Sequence, residues 1–160
     1  MKISELEALA TALKVEKAEL MFYIDMAKKA KDEKAKKMFL FLAREEAEHW
    51  DIFEERLIEK MTEKCKHPHV NKEVLEKLTP KYEGEISEVK AVEIGMKQEK
   101  LTWEFYEKAA EEAEDEKVKH IFRELAKVEE AHYELLKAQY DSISKTGIWM
   151  DYQDFSLEVD

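Results

Sequence analysis

With 160 residues the chain has the length of one domain, and its 44% hydrophobic content is enough for a core. Charged residues make up 41%, with only three Gly and two Pro, so helix-forming material predominates over turn punctuation. The formal net charge of −11 argues against nucleic acid or an anionic membrane as partner, because both need a basic patch.

Taken in order, the chain begins Met1-Lys2-Ile3-Ser4-Glu5-Leu6-Glu7, acidic where a signal peptide would need an apolar run. No stretch approaches the length of a membrane span, so a soluble cytoplasmic protein is expected. The first helix is expected over about residues 4–31, where Leu6, Leu9, Leu13, Glu16, Leu20, Tyr23, Ala27 and Ala30 recur at three or four positions and form one stripe. Glu16 falls in the middle of that stripe, whereas Glu19, a turn later, could offer another carboxylate but reads rather as exposed. Asp32-Glu33 marks a short connection with acid at the positive end of the next helix. That helix runs to about residue 63 with the stripe Ala35, Met38, Phe39, Leu42, Glu46, His49, Phe53 and Leu57. So short a connection makes the two helices antiparallel neighbours.

Residues 64–86 break the pattern with Pro68, Pro80 and Gly84 and read as a long crossover, in which 71–78 form a short helix. His67 and His69 flank Pro68 and are read as surface loop residues. Cys65 is the only cysteine, which excludes an intrachain disulfide and a four-cysteine metal site and leaves a non-essential thiol. The third long helix starts near Ser87, a suitable N-cap, and continues to about residue 113 with Val92, Met96, Glu99, Trp103, Tyr106 and Ala110 as its stripe. The fourth covers about 116–144, with Val118, Phe122, Leu125, Glu129, His132 and Leu136 inward and Gly147 just past its end. Trp149, Tyr152 and Phe155 punctuate an acidic tail, residues 147–160, whose aromatics are expected to dock on the bundle or on a second subunit. The organisation is therefore all-α: a four-helix domain over 1–146, built from hairpins at about 4–63 and 87–144, followed by the tail.

The two hairpins are copies. Adding 83 to a position carries Glu16, Glu46 and His49 onto Glu99, Glu129 and His132, and pairs Lys17 with Lys100, Phe22 with Phe105, Tyr23 with Tyr106, Ala27 with Ala110, Asp32 with Asp115, Phe39 with Phe122, Leu42 with Leu125 and Ala43 with Ala126. Core positions drift in size as copies diverge, because several apolar residues fill a core about equally well. Ionisable residues kept mid-stripe in both copies need another reason, since burying them unpartnered costs several kcal/mol. Each Glu-x-x-His pair shares one helix face. Two facing pairs and one further Glu from each remaining helix give four carboxylates and two imidazoles. Without metal, the carboxylates would repel one another and take up protons. The set suits two divalent transition metals with two carboxylates bridging, iron or manganese more than zinc.

At these residues the sequence resembles the ferritin-like superfamily and, within it, the rubrerythrin-like di-iron proteins. The resemblance rests on Glu16-x6-Tyr23 with Glu46-x2-His49 and on Glu99-x6-Tyr106 with Glu129-x2-His132, within residues 4–144. It implies a ferritin-like antiparallel bundle whose non-haem di-iron centre reacts with hydrogen peroxide or dioxygen. By carry-over Glu16, Glu46, His49, Glu99, Glu129 and His132 would be the ligands, with Glu46 and Glu129 bridging. Tyr23 and Tyr106, two turns from Glu16 and Glu99, would hydrogen-bond ligating carboxylates. The chain has neither the length nor the cysteines for the rubredoxin domain of full-length rubrerythrins. An external donor such as a rubredoxin-like protein is therefore expected, as is a homodimer. Ferroxidase-type storage or metal buffering is the alternative, and bulky Trp103 points to a cramped pocket for any organic substrate.

Overall fold

The computed structural model describes residues 3–64 and 66–154; Cys65 and Phe155 lie outside the described residues. Helices α1 (Glu5–Lys29), α2 (Glu33–Lys64), the short α3 (Lys72–Lys77), α4 (Glu88–Glu112) and α5 (Glu116–Thr146) precede a single 3-10 turn, Tyr152–Asp154. Helix α1 packs along α2, and α4 along α5, which are the two hairpins of an all-helical ferritin-like bundle.

The duplication reaches the helix ends. Ser4 accepts the Glu7 N–H at 3.2 Å and Ser87, its counterpart, accepts the Lys90 N–H at 3.1 Å, each satisfying a donor that the first helical turn leaves free. Asp32 takes the N–H groups of Lys34 and Ala35 at 2.8 and 3.2 Å, and Asp115 takes those of Lys117 and Val118 at the same two distances. The hairpins are also laced to each other. Glu5 accepts from the backbone of Glu114 and Asp115 at 2.5 and 2.6 Å, while its counterpart Glu88 accepts from Lys31 and Asp32 at 2.5 and 3.1 Å. Glu88 additionally receives the Trp149 indole N–H at 3.0 Å. Glu88→Ala is expected to cost about 1–2 kcal/mol, by leaving these donors without their acceptor, and to lower the urea midpoint with little change in slope.

Two apolar clusters fill the ends of the bundle. Phe22, Met38, Phe39, Leu42, Val92 and Leu136 belong to one, and Leu9, Phe53, Tyr106, Val118 and Phe122 to the other. Between them lies a band of buried polar side chains contributed by all four long helices. Gly95 keeps that band compact: a Cβ there would stand 3.1 Å from Leu136 and 3.5 Å from the Tyr23 hydroxyl.

The crossover is fastened to α1 by the Asn71 N–H, which donates to Thr11 at 3.0 Å, and Asn71 in turn caps α3. His67 and His69 are exposed on it. Beyond α5, Gly147 adopts the left-handed conformation (φ 70°) that a helix C-terminus favours. The following residues fold back on the bundle. Trp149 is buried against Phe39, Gln139 grips the Met150 backbone with both its amide atoms (2.7 and 3.0 Å), and Tyr152 stacks on Phe41 with ring centroids 4.8 Å apart. Among the described residues no helix is long and apolar enough to cross a membrane.

Candidate metal centre

Each long helix delivers its polar residues to the central band because they occupy the mid-stripe positions of an otherwise apolar face. Glu16, Glu46, Glu99 and Glu129 are fully buried, and His49 and His132 are only 4% and 1% exposed. Donor atoms of Glu16, Glu46, His49 and Glu129 lie within 4.8 Å of one another, and so do those of Glu46, Glu99, Glu129 and His132. Glu46 and Glu129 belong to both groups. All six residues singled out by the repeat are thus brought together, as two overlapping sets that could each hold a metal ion.

The central carboxylates each address both imidazoles. Glu129 places one oxygen 2.9 Å from His49 Nδ1 and the other 3.2 Å from His132 Nδ1. Glu46 spreads its oxygens likewise, 3.4 Å from His49 and 3.1 Å from His132. The outer carboxylates serve one histidine each, Glu16 at 3.4 Å from His49 and Glu99 at 3.7 Å from His132. The imidazole rings lie nearly parallel, 5.8 Å apart. The tyrosines bond across the bundle: the Tyr106 hydroxyl donates to Glu16, and the Tyr23 hydroxyl to Glu99. Each therefore holds the carboxylate of the other hairpin.

Protonation shows how badly the cluster tolerates its own charge. Burial and the adjoining Glu46 push the Glu16 carboxyl up to about 8; burial and Glu129 push Glu99 up to about 8. Burial and Glu16 act upward on Glu129 too, but hydrogen bonding with Glu99 and the neighbouring imidazoles outweigh them and hold it below its ordinary range. Burial opposes charge on both histidines, yet the surrounding carboxylates raise His49 and His132 well above theirs. Even so, Oε2 of Glu16, both oxygens of Glu46 and Oε2 of Glu99 have no hydrogen-bond partner among the described residues. Buried oxygens of this kind are costly unless a cation supplies what is missing. Four carboxylates and two imidazoles match two divalent cations in charge, so the donor set fits a di-iron centre.

Three buried polar residues extend the band beyond the sequence reading. Glu19 is fully buried, contrary to the exposed position expected for it. It lies one turn from Glu16 on the same face, accepts the Thr102 hydroxyl, and accepts the Gln98 side-chain amide at 3.0 Å. Gln98 also donates to the Leu78 carbonyl in the crossover. Burial, reinforced by Glu46, Glu99, Glu129 and Glu16, drives the Glu19 carboxyl well above its usual range. The mid-stripe spacing of Glu16, Glu19 and Tyr23 was the available signal. Trp103, by contrast, is half-buried and donates to Glu107 on its own helix at 2.6 Å, in an exposed setting.

The rubrerythrin family model matches residues 7–140. The chain belongs to the rubrerythrin family. A solved structure described as a hypothetical protein, Pfu-1136390-001, from Pyrococcus furiosus is similar over 89% of this chain and 92% of that one, with a TM-score of 0.76 and 27% sequence identity. Among curated proteins no sequence matches. The matched range spans both hairpins and contains all six residues of the two overlapping donor groups.

Proposed function

We propose that the chain is a non-haem di-iron oxidoreductase that reduces hydrogen peroxide or dioxygen with electrons from an external donor such as a rubredoxin-like protein. The observation that carries this reading is the sharing of Glu46 and Glu129 by two complete donor groups in a rubrerythrin-family bundle. Glu16 with His49 and Glu99 with His132 would be the terminal ligands, and Glu46 and Glu129 the bridges. A bound iron pair would supply two electrons to the O–O bond of peroxide, which with two protons becomes two waters. The oxygen-rich donor set suits iron or manganese better than zinc. We expect the protein to act as a cytoplasmic homodimer.

The protein's own part is orientation and exclusion. The apolar clusters on either side keep bulk water from the centre, which strengthens every electrostatic interaction inside it. The tyrosine hydroxyls fix one oxygen of each terminal carboxylate and leave Oε2 without a hydrogen bond among the described residues. Tyr106→Phe removes such an orienting bond without changing a ligand, and is expected to weaken metal binding by about 10–100-fold in a chelator competition titration.

Anaerobic stopped-flow absorbance of the ferrous-loaded protein tests the function. Rapid oxidation by peroxide at two irons per chain, with slower reaction with dioxygen, is the result expected of a peroxidase. Rapid reaction with dioxygen followed by uptake of many further irons would replace this reading with ferroxidase-type storage.

A further inference from the structure

The candidate centre is sealed: none of its six residues is more than 4% exposed, so any oxidant must pass through the wall of the bundle. Two sides of that wall differ. On the α2–α5 side the Phe41 ring packs edge-on to His132, with centroids 6.4 Å apart, and Tyr152 stacks over Phe41. Rings cover much of that side, and the partly exposed Glu45 carboxylate stands 3.9 Å from His132 Nε2 at its margin. It is held by the imidazole and, among the described residues, is not joined to a surface cleft through further buried polar side chains. On the α1–α4 side the wall is polar. Glu19, Gln98 and Thr102 are joined by hydrogen bonds, and Glu19 keeps a buried Oε2 without a partner among the described residues. Gln98 also lines a surface cleft of about 370 Å³ with Thr79, Pro80 and Leu101, beneath the crossover.

The duplication shows that this polar wall is not a by-product of the ligand set. Glu19 corresponds by the 83-residue repeat to Thr102, so a carboxylate faces a hydroxyl where the ligands themselves are duplicated without change. Gln98 likewise corresponds to Val15, which is fully buried. One copy carries a polar residue beside the surface cleft where the other carries an apolar one.

We propose that Gln98, Glu19 and Thr102 form the entry route by which a small hydrogen-bonding oxidant, hydrogen peroxide, passes from the crossover cleft to the metal centre. The inference rests on the functional reading above. Peroxide can donate and accept at each step, exchanging partners along the three side chains, and Glu19 Oε2 offers a polar atom without a partner among the described residues within the wall. Divalent cations are poorly served by this route, since Lys77, Lys81, Lys90 and Lys97 line the cleft against one acid, Glu93. Dioxygen, being apolar, gains nothing from it.

The test uses azide as a non-redox probe of the cobalt(II)-loaded protein, with its binding followed by visible absorbance. In Thr102→Val and in Gln98→Met, the azide association and dissociation rates are expected to fall together by about tenfold, the worth of one hydrogen bond on the path, with Kd unchanged. Thr102→Ser, which keeps the hydroxyl, should retain the wild-type rates. In ferrous-loaded protein the same two variants should slow oxidation by peroxide but not by dioxygen. Metal content and circular dichroism identify any variant that has lost the site or the fold, and the other variant then decides. Unchanged azide rates in a variant holding two metals would overturn the route, as would a change in Kd alone. A wild-type ferrous centre inert to both peroxide and dioxygen would instead overturn the proposed function, while the azide rates would still decide whether this wall is the way in.

Discussion

Glu129→Ala is expected to reduce the metal content from two ions per chain to none, whereas Glu99→Ala leaves one. The difference follows from membership: Glu129 and Glu46 contribute to both donor groups, Glu16 only to the group with His49, and Glu99 only to the group with His132. Removing a shared carboxylate takes a donor from each position and leaves His49 and His132 facing fewer anions. Removing Glu99 leaves the Glu16, Glu46, His49 and Glu129 set intact, although it also frees the Tyr23 hydroxyl. Glu46→Ala should resemble Glu129→Ala, and His132→Ala should resemble Glu99→Ala. Metal analysis after gel filtration reads the stoichiometry directly. Two ions retained in Glu129→Ala would remove the bridging assignment. Loss of both in Glu99→Ala would show that the positions fill only together.

The buried donor cluster was legible in the sequence because it was written twice. A lone Glu-x-x-His on a Glu-rich helix carries little information, but the recurrence of Glu16, Glu46 and His49 at Glu99, Glu129 and His132 is hard to attribute to drift. Helix boundaries were legible through their caps, Ser87 and Gly147 among them, although α1 stops at Lys29 because Ala30 is already extended. What the repeat could not show is what differs between the copies. Glu19 has Thr102 as its counterpart, so it shared none of the ligands' signal and resembled a surface acid. Gln98 and Thr102 looked equally ordinary. Spacing placed Tyr23 and Tyr106 on the right faces, yet a face does not specify which neighbouring helix it meets, and the hydroxyls proved to reach across to the opposite hairpin. Glu5 and Glu88 hid for a different reason. An acid in the first turn is already explained by the helix dipole, and its grip on a distant turn appears only in three dimensions.

Metal loading is expected to raise Tm by roughly 10 °C at pH 8, and by much less at pH 5. With free metal at about a thousand times Kd, binding to the native state alone contributes about 4 kcal/mol. For a chain of this size each kcal/mol moves Tm by about 2–4 °C. The pH dependence comes from the metal-free protein. Glu16 and Glu99 titrate at about 8 when folded and at 4.5 ordinarily, so between those values the native state holds protons that the unfolded chain has released. Their contribution to stability is complete below pH 4.5, declines as pH rises, and is lost once pH passes 8. Each such group changes stability by up to about 1.4 kcal/mol per pH unit. His49 and His132, also raised, act in the same direction above pH 6.5. Glu129, lowered, acts oppositely, and only in acid. Stability of the metal-free form should therefore fall from pH 5 to 8. Metal affinity should rise over the same range, because the ligands must give up those protons to bind. Calorimetric Tm values for metal-free and metal-loaded protein, measured at each pH in matched ionic strength, should diverge with increasing pH. A metal-free Tm that climbed from pH 5 to 8 would mean that the buried carboxyls are already ionised, with some other cation balancing them.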